Sequence, residues 1–354
     1  MPSDVYHRLA QALDALPNGY PATDSGAELR LLAKMFTPEE AALAAVMRVD
    51  GETADVIAAR ASVDAKLAAR TLKDMARKGL IFANRRERKL VFWLMPFVVG
   101  FYEEQLPRLD LEMAELFEVY FQELRGALTY QTPAIHRVIP VEEAIAADVK
   151  VYSYERASDL LDRAKAWGVR DCICRVQQKL IGKGCDSPVE NCLVFAPVED
   201  VFDYSETTRA ISKEEAKRLL HEAEEAGLVH SPGNYQDGNN YICNCCTCCC
   251  GVMRNVAEFS IPTVIAKSDF YLVVDDDACA GCGDCLERCQ FGALAIPEDI
   301  CVVDIGRCVG CGLCATVCPS EALHLERRPE GQVPPPPANH EEWELQRIQA
   351  RGLG

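Results

Sequence analysis

The stretch VDDDACAGCGDCLERCQFGALAI (274–296) recurs 29 residues further on as VDIGRCVGCGLCATVCPSEALHL (303–325). Each copy carries four cysteines in the spacing C-x2-C-x2-C-x3-C. Glycines and small spacers let three thiolates of one tight loop converge on one face. The fourth thiolate, on the short helix that follows, points the other way. An internal repeat of this kind predicts two linked metal-binding loops.

The paired pattern resembles a bacterial-type ferredoxin domain with two [4Fe-4S] clusters, over about 55 of the 354 residues. The resemblance implies that one cluster is held by Cys279, Cys282, Cys285 and Cys318, and the other by Cys308, Cys311, Cys314 and Cys289. Pro319 matches the family's Cys-Pro ending, whereas Gln290 stands where the first repeat would carry proline. We expect this departure to change backbone hydrogen bonds to one cluster without affecting ligation.

Zinc is the alternative for the repeat, but zinc sites favour C-x2-C pairs separated by longer spacers. Cys301 lies outside the pattern, in ICVVD. We expect it to be a small buried hydrophobe on a strand.

Ten further cysteines lie upstream, in DCICRVQQKLIGKGCDSPVENCLVF (171–195) and YICNCCTCCCGVMR (241–254). The second stretch holds six of them in eight positions, which is more than a packed core requires. Neighbouring side chains on an extended backbone point apart, so this run cannot form one tetrahedral set. The candidate cluster ligands are Cys172, Cys174, Cys185, Cys192, Cys243, Cys245, Cys246, Cys248 and Cys249.

Ten thiols suffice for at most two four-ligand clusters, so we predict one or two further iron–sulfur clusters. Zinc, or redox-active thiols without metal, are the alternatives. The order CxCR, GCxxPxxxCL and NCCxCCC ahead of a two-cluster ferredoxin resembles a group of multi-domain ferredoxin-like proteins of anaerobic bacteria, over roughly 150–325. That resemblance implies a cluster in the middle segment and names no substrate.

Three polar residues near these cysteines, Arg175, His230 and Asn234, are candidates for hydrogen bonds to cluster sulfurs that tune the potential. The alternative is that Arg175 makes a surface ion pair and that HSPGN (230–234) is a simple turn.

The N-terminal region predicts three helices followed by two strands. FTPEEAALAAVMRV (36–49) has Thr37 as N-cap and Pro38 at the first helical position. Helices at 53–63 and 64–80 follow, and then LIFANR and RKLVFWLM, joined by a basic tip. This order resembles a winged helix-turn-helix domain over about 30–95.

A DNA-binding winged helix places its third helix in the major groove. Several cations of that helix share a face here, namely Lys66, Arg70, Lys73 and Arg77. Asp64, Asp74 and Glu87 interrupt the positive charge, and winged helices also serve as protein-docking modules. We therefore expect docking or a structural role, with DNA binding as the alternative.

Composition argues against several classes of function. The net charge is −17, although residues 1–100 hold 14 Lys/Arg against 12 Asp/Glu, which argues against a generally nucleic-acid-binding or membrane-surface protein. No stretch approaches the roughly 20 apolar residues of a membrane span. The N-terminus lacks a signal pattern, so we expect a cytoplasmic protein. In a reducing compartment, clustered cysteines are metal ligands more often than disulfides.

We predict an α+β fold class and five segments. These are a winged-helix-like domain at 1–98, a helical connector at 99–165, a cysteine-rich α/β domain at 166–265, a two-[4Fe-4S] ferredoxin domain at 266–328 and a proline-rich linker and tail at 329–354. Solvent exposure is expected for Trp343 in the tail, with docking on a partner as the alternative.

The predicted function is electron transfer through two or more [4Fe-4S] clusters to or from a partner oxidoreductase. The acidic surface suits a positively charged patch on that partner. Two alternatives stay open. One is a redox-responsive transcription regulator, and the other is an iron–sulfur reductase whose middle cluster binds substrate.

Overall fold

Helices and strands both contribute to the fold, in agreement with the predicted α+β class. The computed structural model describes residues 4–125, 131–203 and 205–353. The chain forms two units, one comprising 1–128 with 347–354 and the other 129–346.

The first unit is mainly helical. Its helices within residues 4–125 are α1 (Asp4–Asp14), α2 (Ala27–Met35), α3 (Pro38–Ala44), α4 (Ala54–Ala61), α5 (Ala65–Arg77) and α6 (Leu111–Leu124). The predicted start of α3 is confirmed, because Thr37 and Glu40 form a reciprocal capping box there. Asp64 caps α5 by accepting a hydrogen bond from the Leu67 N–H (2.9 Å).

A small antiparallel sheet follows the helices of this unit. Its strands are β1 (Glu52–Thr53), β2 (Ile81–Arg86) and β3 (Lys89–Leu94), in the spatial order β1-β3-β2. The hairpin tip lies at Glu87 and Arg88, which both adopt positive φ.

An aromatic cluster fills the core of the first unit. Tyr102 stacks on Phe117 with ring centroids 4.1 Å apart, and the ring of Phe97 contacts that of Tyr20 at 5.0 Å. At the C-terminal end of the chain, the Arg351 guanidinium pairs with Asp14 (2.9 Å) in the same unit. These contacts need no metal.

The second unit contains the remaining strands and most of the remaining helices. Its strands are β4 (His136–Arg137), β5 (Ala166–Asp171), β6 (Glu190–Ala196), β7 (Arg209–Ile211), β8 (Val229–Ser231), β9 (Tyr241–Cys245), β10 (Ile265–Ala266), β11 (Phe270–Val274), β12 (Leu294–Ala295), β13 (Val302–Val303) and β14 (Leu323–Arg327). Its helices are α7 (Ala157–Asp162), α8 (Ile173–Leu180), α9 (Lys213–Glu225), α10 (Met253–Phe259) and α11 (Asp284–Arg288). A last helix, α12, spans His340–Ala350.

A five-stranded antiparallel sheet, in the order β7-β5-β6-β9-β8, carries the middle of this unit. Helix α9 begins where Ser212 accepts a hydrogen bond from the Glu215 N–H (3.1 Å), as the sequence Ser-x-x-Glu predicts. Leu219 and Leu220 of α9 pack with Val169, Leu193 and other residues of the sheet. The sheet positions the cysteines of 172–192 beside those of 243–250.

Strands of the two repeats pair with each other. Strand β11 of the first repeat pairs with β14 of the second, and β12 of the first pairs with β13 of the second. The registers correspond, because Val274 faces Leu323 and Leu294 faces Val303, and these positions differ by the 29-residue offset. The sequence repeat is therefore also an approximate two-fold repeat in the backbone.

Residues 131–156 differ from the mostly helical connector that the sequence predicts. In this range the chain forms β4 and two short 3-10 turns, at Glu142–Ala144 and Ser153–Glu155. The backbone bonds instead to distant segments, since the Val141 N–H donates to the Cys311 carbonyl (2.9 Å) and the Ala146 N–H donates to the Leu325 carbonyl (3.2 Å). Pairing with the repeat outweighs the local preference for helix.

The tail is also more buried than the sequence predicts. The Trp343 side chain is only 3% exposed, and its indole N–H donates to the Ala134 carbonyl (2.9 Å). The proline-rich stretch before it is held by backbone bonds, from the Gln236 N–H to the Pro337 carbonyl (2.9 Å) and from the Asp237 N–H to the Ala338 carbonyl (3.0 Å). None of the helices in the described parts of the chain is both long and apolar enough to cross a bilayer.

Candidate metal centres

The four cysteines predicted for the first ferredoxin cluster lie around one recess. This recess is lined by Cys279, Cys282, Cys285 and Cys318, among other residues. The first three come from the loop before α11 and the start of α11, and the fourth comes from the second repeat. The structure therefore brings these thiols together across the two repeats, as the resemblance implies.

Cys301 lines the same recess. It is buried, and its Sγ lies 3.8 Å from the Sγ of Cys285. Its backbone N–H donates to the Sγ of Cys279 (3.4 Å), and such N–H···S bonds stabilise thiolate ligands. The expectation of burial is confirmed, but the residue precedes β13 rather than lying on a strand.

The four cysteines predicted for the second ferredoxin cluster also lie close together. Burial, and then the nearby thiols of Cys311, Cys289 and Cys308, raise the pKa of the Cys314 thiol. The Ala293 N–H donates to the Sγ of Cys289 (3.4 Å). Cys289 belongs to the first repeat, so this set also draws its fourth member from the other repeat.

Gln290 connects the ferredoxin-like region to the cysteine run. Its side-chain oxygen accepts a hydrogen bond from the Thr247 N–H (2.7 Å), and its amide N–H donates to the Gly227 carbonyl. The sequence predicts an effect on backbone hydrogen bonds at this position. The structure shows a side-chain link between two cysteine-rich segments.

The ten middle cysteines separate into two groups. Within the larger one, which we call the six-cysteine group, each thiol interacts electrostatically with the next. Its members, in that order, are Cys172, Cys174, Cys250, Cys245, Cys243 and Cys192. Cys172 and Cys174 lie at the start of α8, Cys192 lies on β6, and Cys243 and Cys245 lie two residues apart on β9.

The remaining four thiols form a compact set, which we call the four-cysteine group. It consists of Cys185, Cys246, Cys248 and Cys249, whose sulfur atoms all lie within 4.8 Å of one another. The sequence predicts that the run cannot serve one site, and the structure divides it between these two groups.

Several of these thiols are predisposed to ionise. Hydrogen bonds from Cys174 and then Cys245 lower the pKa of Cys250 to about 5. The Cys249 thiol, and then the charge of Arg175, lower the pKa of Cys246 to about 4. Thiolates are the form that binds metals.

Arg175 is buried between the two groups, so the alternative of a surface ion pair is wrong. It is 1% exposed and donates to the Asn191 side-chain oxygen (2.8 Å) and the Asn244 carbonyl (2.7 Å). The thiols of Cys172 and Cys246 interact with its charge. The predicted role beside cluster sulfurs is consistent with this position.

His230 and Asn234 have other partners. The His230 ring bonds to the Asn244 side chain (2.7 Å) and to Glu224 (3.0 Å). The Asn234 side chain donates to the Ala134 carbonyl (3.2 Å). The hydrogen bonds seen for these two residues go to other side chains and to a backbone carbonyl, and not to thiols.

Two residues at the site escaped prediction from the sequence. Cys250 belongs to the six-cysteine group, although it was not among the candidate ligands. His136 lies beside Cys243, whose charge interacts with the imidazole. Burial lowers the pKa of His136, which keeps the ring neutral. No short-range pattern identifies it, because more than a hundred residues separate it from Cys243.

Unpaired donors surround the six-cysteine group. Among the described residues, buried polar atoms without a hydrogen-bond partner include both ring nitrogens of His136, Arg175 Nε, Asn191 Nδ2 and Ser231 Oγ. Ser231 pairs with Cys243 between β8 and β9. Arg175 directly follows Cys174 in the sequence, and Asn191 directly precedes Cys192. Buried donors are normally satisfied, and the sulfides of an iron–sulfur cluster are acceptors. These residues therefore fit such a cofactor.

Ferredoxin-like and middle cysteines share one hydrophobic core. Cys245 and Cys250 pack in the same buried cluster as Cys285, Cys308 and Cys314. Apolar residues such as Met253, Phe270 and Leu325 complete this core. The groups are thus neighbours within one unit.

Comparison with known protein families supports an iron–sulfur domain at the repeat. A family model described as a 4Fe-4S dicluster domain matches residues 278–322. No curated protein and no solved structure matches the chain. The match shows a ferredoxin-like iron–sulfur domain near the C-terminus, and the predicted [4Fe-4S] cofactors are confirmed, with the clustered middle cysteines as further sites. A role in iron–sulfur redox chemistry follows.

Proposed function

We propose that this protein transfers electrons between a partner oxidoreductase and [4Fe-4S] clusters held in its second unit. The ligands are the two sets of four in the repeats and, for a third cluster, members of the six-cysteine group. One observation carries the proposal. Members of the three groups of thiols contribute to a single apolar core, which places their sites close together.

The chain's own residues supply the environment for this chemistry. The clusters provide one-electron redox chemistry when bound. Buried apolar side chains exclude water from the thiols, and backbone N–H groups of Ala293 and Cys301 donate to ligand sulfurs. Both features set reduction potentials, because they decide how well negative charge on sulfur is stabilised.

The recess around Cys282 is the proposed contact with the partner. Cys282 is exposed, and so are the nearby acidic residues Asp284, Glu287 and Asp299. Residues 266–328 contain 11 acidic and 5 basic side chains. Such a surface steers a basic partner toward the recess.

The first unit is proposed to be a winged helix that docks a partner protein. Helices α3, α4 and α5, followed by the β2–β3 hairpin, support this fold. Val56, Val63 and Leu67 on or near α4 and α5 are exposed apolar residues, with Leu67 58% exposed. An apolar residue amid the cations of α5 suits protein contact better than a phosphate backbone.

A redox-responsive regulator is the second candidate. It is favoured by the exposure of Lys66, Arg70, Lys73 and Arg77 along α5. We also propose a cytoplasmic location, because 19 free cysteines are typical of a reducing compartment. We also propose that the five predicted segments subdivide the two units.

Iron content tests the cluster assignment. The full-length protein, purified anaerobically, is assayed for iron and sulfide and examined by EPR after reduction. We expect Cys172→Ser and Cys243→Ser each to lose about four irons, the content of one cubane, and to keep the ferredoxin signals. Full iron retention in both variants would remove the third cluster from the proposal.

Electron transfer to a basic acceptor tests the surface. Cytochrome c serves as a basic redox probe, and its reduction by the reduced protein is followed by stopped flow. We expect a rate that falls with ionic strength and falls several-fold in Asp284→Lys. The matched control is Glu199→Lys, an exposed acidic residue outside the repeats. Equal rates for both variants would contradict the docking site.

A further inference from the structure

The four-cysteine group has a geometry unlike that of the other thiols. The Sγ of Cys185 lies 3.6 Å from that of Cys249 and 3.9 Å from that of Cys246. All four sulfurs lie within 4.8 Å of one another. These separations exceed the roughly 2.05 Å of a disulfide bond. Four unbonded sulfurs therefore surround one point.

Those distances match a single tetrahedral ion. A metal–sulfur bond of about 2.3 Å places the four sulfurs of a tetrahedron about 3.8 Å apart. In a cubane each thiolate binds a different iron, so the ligand sulfurs stand roughly 6 Å or more apart. The observed contacts agree with the first arrangement.

The ferredoxin-like cysteines provide an internal comparison. They belong to the region that matches a 4Fe-4S family and so serve as the reference for cluster ligands. Within the part of the chain that the structure describes, the four-cysteine group is the one set of three or more ligating side chains gathered this tightly. Neither the repeat cysteines nor the six-cysteine group has this compact form.

The local sequence supports thiolate ligation at this point. Cys246 and Cys249 are spaced C-x2-C. Tetrathiolate sites use this spacing.

We propose that Cys185, Cys246, Cys248 and Cys249 bind one metal ion, Zn²⁺ or Fe²⁺, in a tetrahedral thiolate site that is separate from the iron–sulfur clusters. This differs from the sequence prediction, which treats these four as cluster ligands. The ion joins the loop after α8 to the turn after β9. Thr247, inside that turn, bonds to Gln290, so the site also braces the ferredoxin-like region.

Metal analysis of paired variants tests the site. The full-length protein and the double variant Cys185→Ser, Cys248→Ser are purified anaerobically, and zinc, iron and sulfide are quantified. We chose these two because Cys248 is exposed and Cys185 is half-buried, so the core stays intact. We expect the double variant to lose one ion per chain and to keep its sulfide and its EPR signals.

Cys172→Ser is the matched control. It belongs to the six-cysteine group, and we expect it to keep the single ion while losing cluster iron. The metal that Cys172→Ser retains is then studied in the wild type. X-ray absorption at the edge of that metal should show four sulfur neighbours at about 2.3 Å. Zinc and iron are distinguished by the same measurement, and either supports the proposal.

Two results would overturn the proposal. One is loss of about four irons with sulfide from the double variant, which indicates a cubane at this site. The other is an unchanged metal content. Failure of Cys172→Ser to lose iron bears on the third cluster alone, so the two proposals fail separately.

Discussion

Gln290 and Pro319 occupy equivalent positions in the two repeats and have different surroundings. Gln290 bonds to the Thr247 N–H and to the Gly227 carbonyl, whereas Pro319 is exposed. The two-fold repeat of the ferredoxin-like region is broken where it meets the cysteine run. The Gln290 side chain thus holds the neighbouring turn at Thr247, a contact that a proline could not make.

Gln290→Met should loosen that turn. The change keeps the side-chain volume and removes both hydrogen bonds, leaving the Thr247 N–H without its acceptor, at a cost of about 1–3 kcal/mol. Amide exchange of a peptide covering 241–254 should accelerate roughly ten-fold or more. Pro319→Met introduces the same residue at the equivalent exposed position and should leave this exchange unchanged. Equal protection in both variants would show that the link is not stabilising.

His136→Leu should change the redox behaviour of the middle site. The buried ring lies beside Cys243, and among the described residues its nitrogens have no partner. The ring N–H would donate to a sulfur of the proposed third cluster. Because such a bond favours the reduced state, its removal should make the midpoint potential of that cluster more negative. EPR-monitored redox titration measures this. His324→Ala, a half-exposed change in the same unit, is the control. An unchanged potential with full iron would exclude a role for the ring.

The sequence suffices to group the repeat cysteines, whereas it groups those of the middle site only partly. The repeat spacing is local, so C-x2-C-x2-C-x3-C suffices to group Cys279 with Cys318 once the family is recognised. His136 and Arg175 reach the middle site through the tertiary fold. No spacing rule links His136 to Cys243, and the burial of Arg175 becomes visible only in three dimensions.

At the level of elements, strand β9 explains how the cysteine run divides. Side chains two residues apart on a strand share a face, and Cys243 and Cys245 accordingly join the same group. The strand ends at Cys245, and the turn that follows carries Cys246 and Cys249 toward Cys185. Cys250 then returns to the first group. Sequence alone predicts a division but not its members, because the end of the strand decides them.

Helix and strand starts with local signals were predictable. Thr37 and Ser212 cap α3 and α9 as their sequences indicate. The segment 131–156 was not, because its backbone partners, such as Cys311 and Leu325, lie far away in sequence. Tertiary pairing determines structure there.

Helix α5 should not bind DNA with useful affinity. Its cations share an exposed face, but Asp74 pairs with Arg77 and Leu67 is exposed between the cations. We expect the full-length protein to show no nanomolar, salt-dependent binding to genomic fragments in a mobility-shift titration. Tight binding that is lost in Arg70→Ala, and kept in Arg8→Ala on α1, would instead establish the regulator function.

At the level of the whole molecule, the two units depend on different stabilising forces. All 19 cysteines lie between 172 and 318, within the second unit. Several of them are part of the hydrophobic core itself, as Cys245, Cys285 and Cys314 show. The first unit is stabilised by aliphatic and aromatic packing, including Tyr102 on Phe117. We therefore expect metal binding and folding to be coupled in the second unit and not in the first.

Removal of metal should unfold the second unit and leave the first intact. Sites absent from an unfolded chain contribute their binding free energy to folding, so the loss of the clusters and the single ion removes that stabilisation. Trp93 is the tryptophan of the first unit, and Trp167 and Trp343 belong to the second. The double variant Trp167→Phe, Trp343→Phe thus reports on the first unit by fluorescence.

We expect the Trp93 transition in urea to keep its midpoint after oxidative cluster removal and chelation. Far-UV circular dichroism should fall in the same sample before urea is added, because the second unit has lost its structure. The metal-loaded variant is the control for both signals. If the Trp93 midpoint moves to lower urea together with metal loss, folding of the first unit also depends on the metals, and the assignment of separate stabilising forces is wrong. An unchanged midpoint alongside a reduced dichroism signal shows that the first unit folds without the cysteine-bound metals.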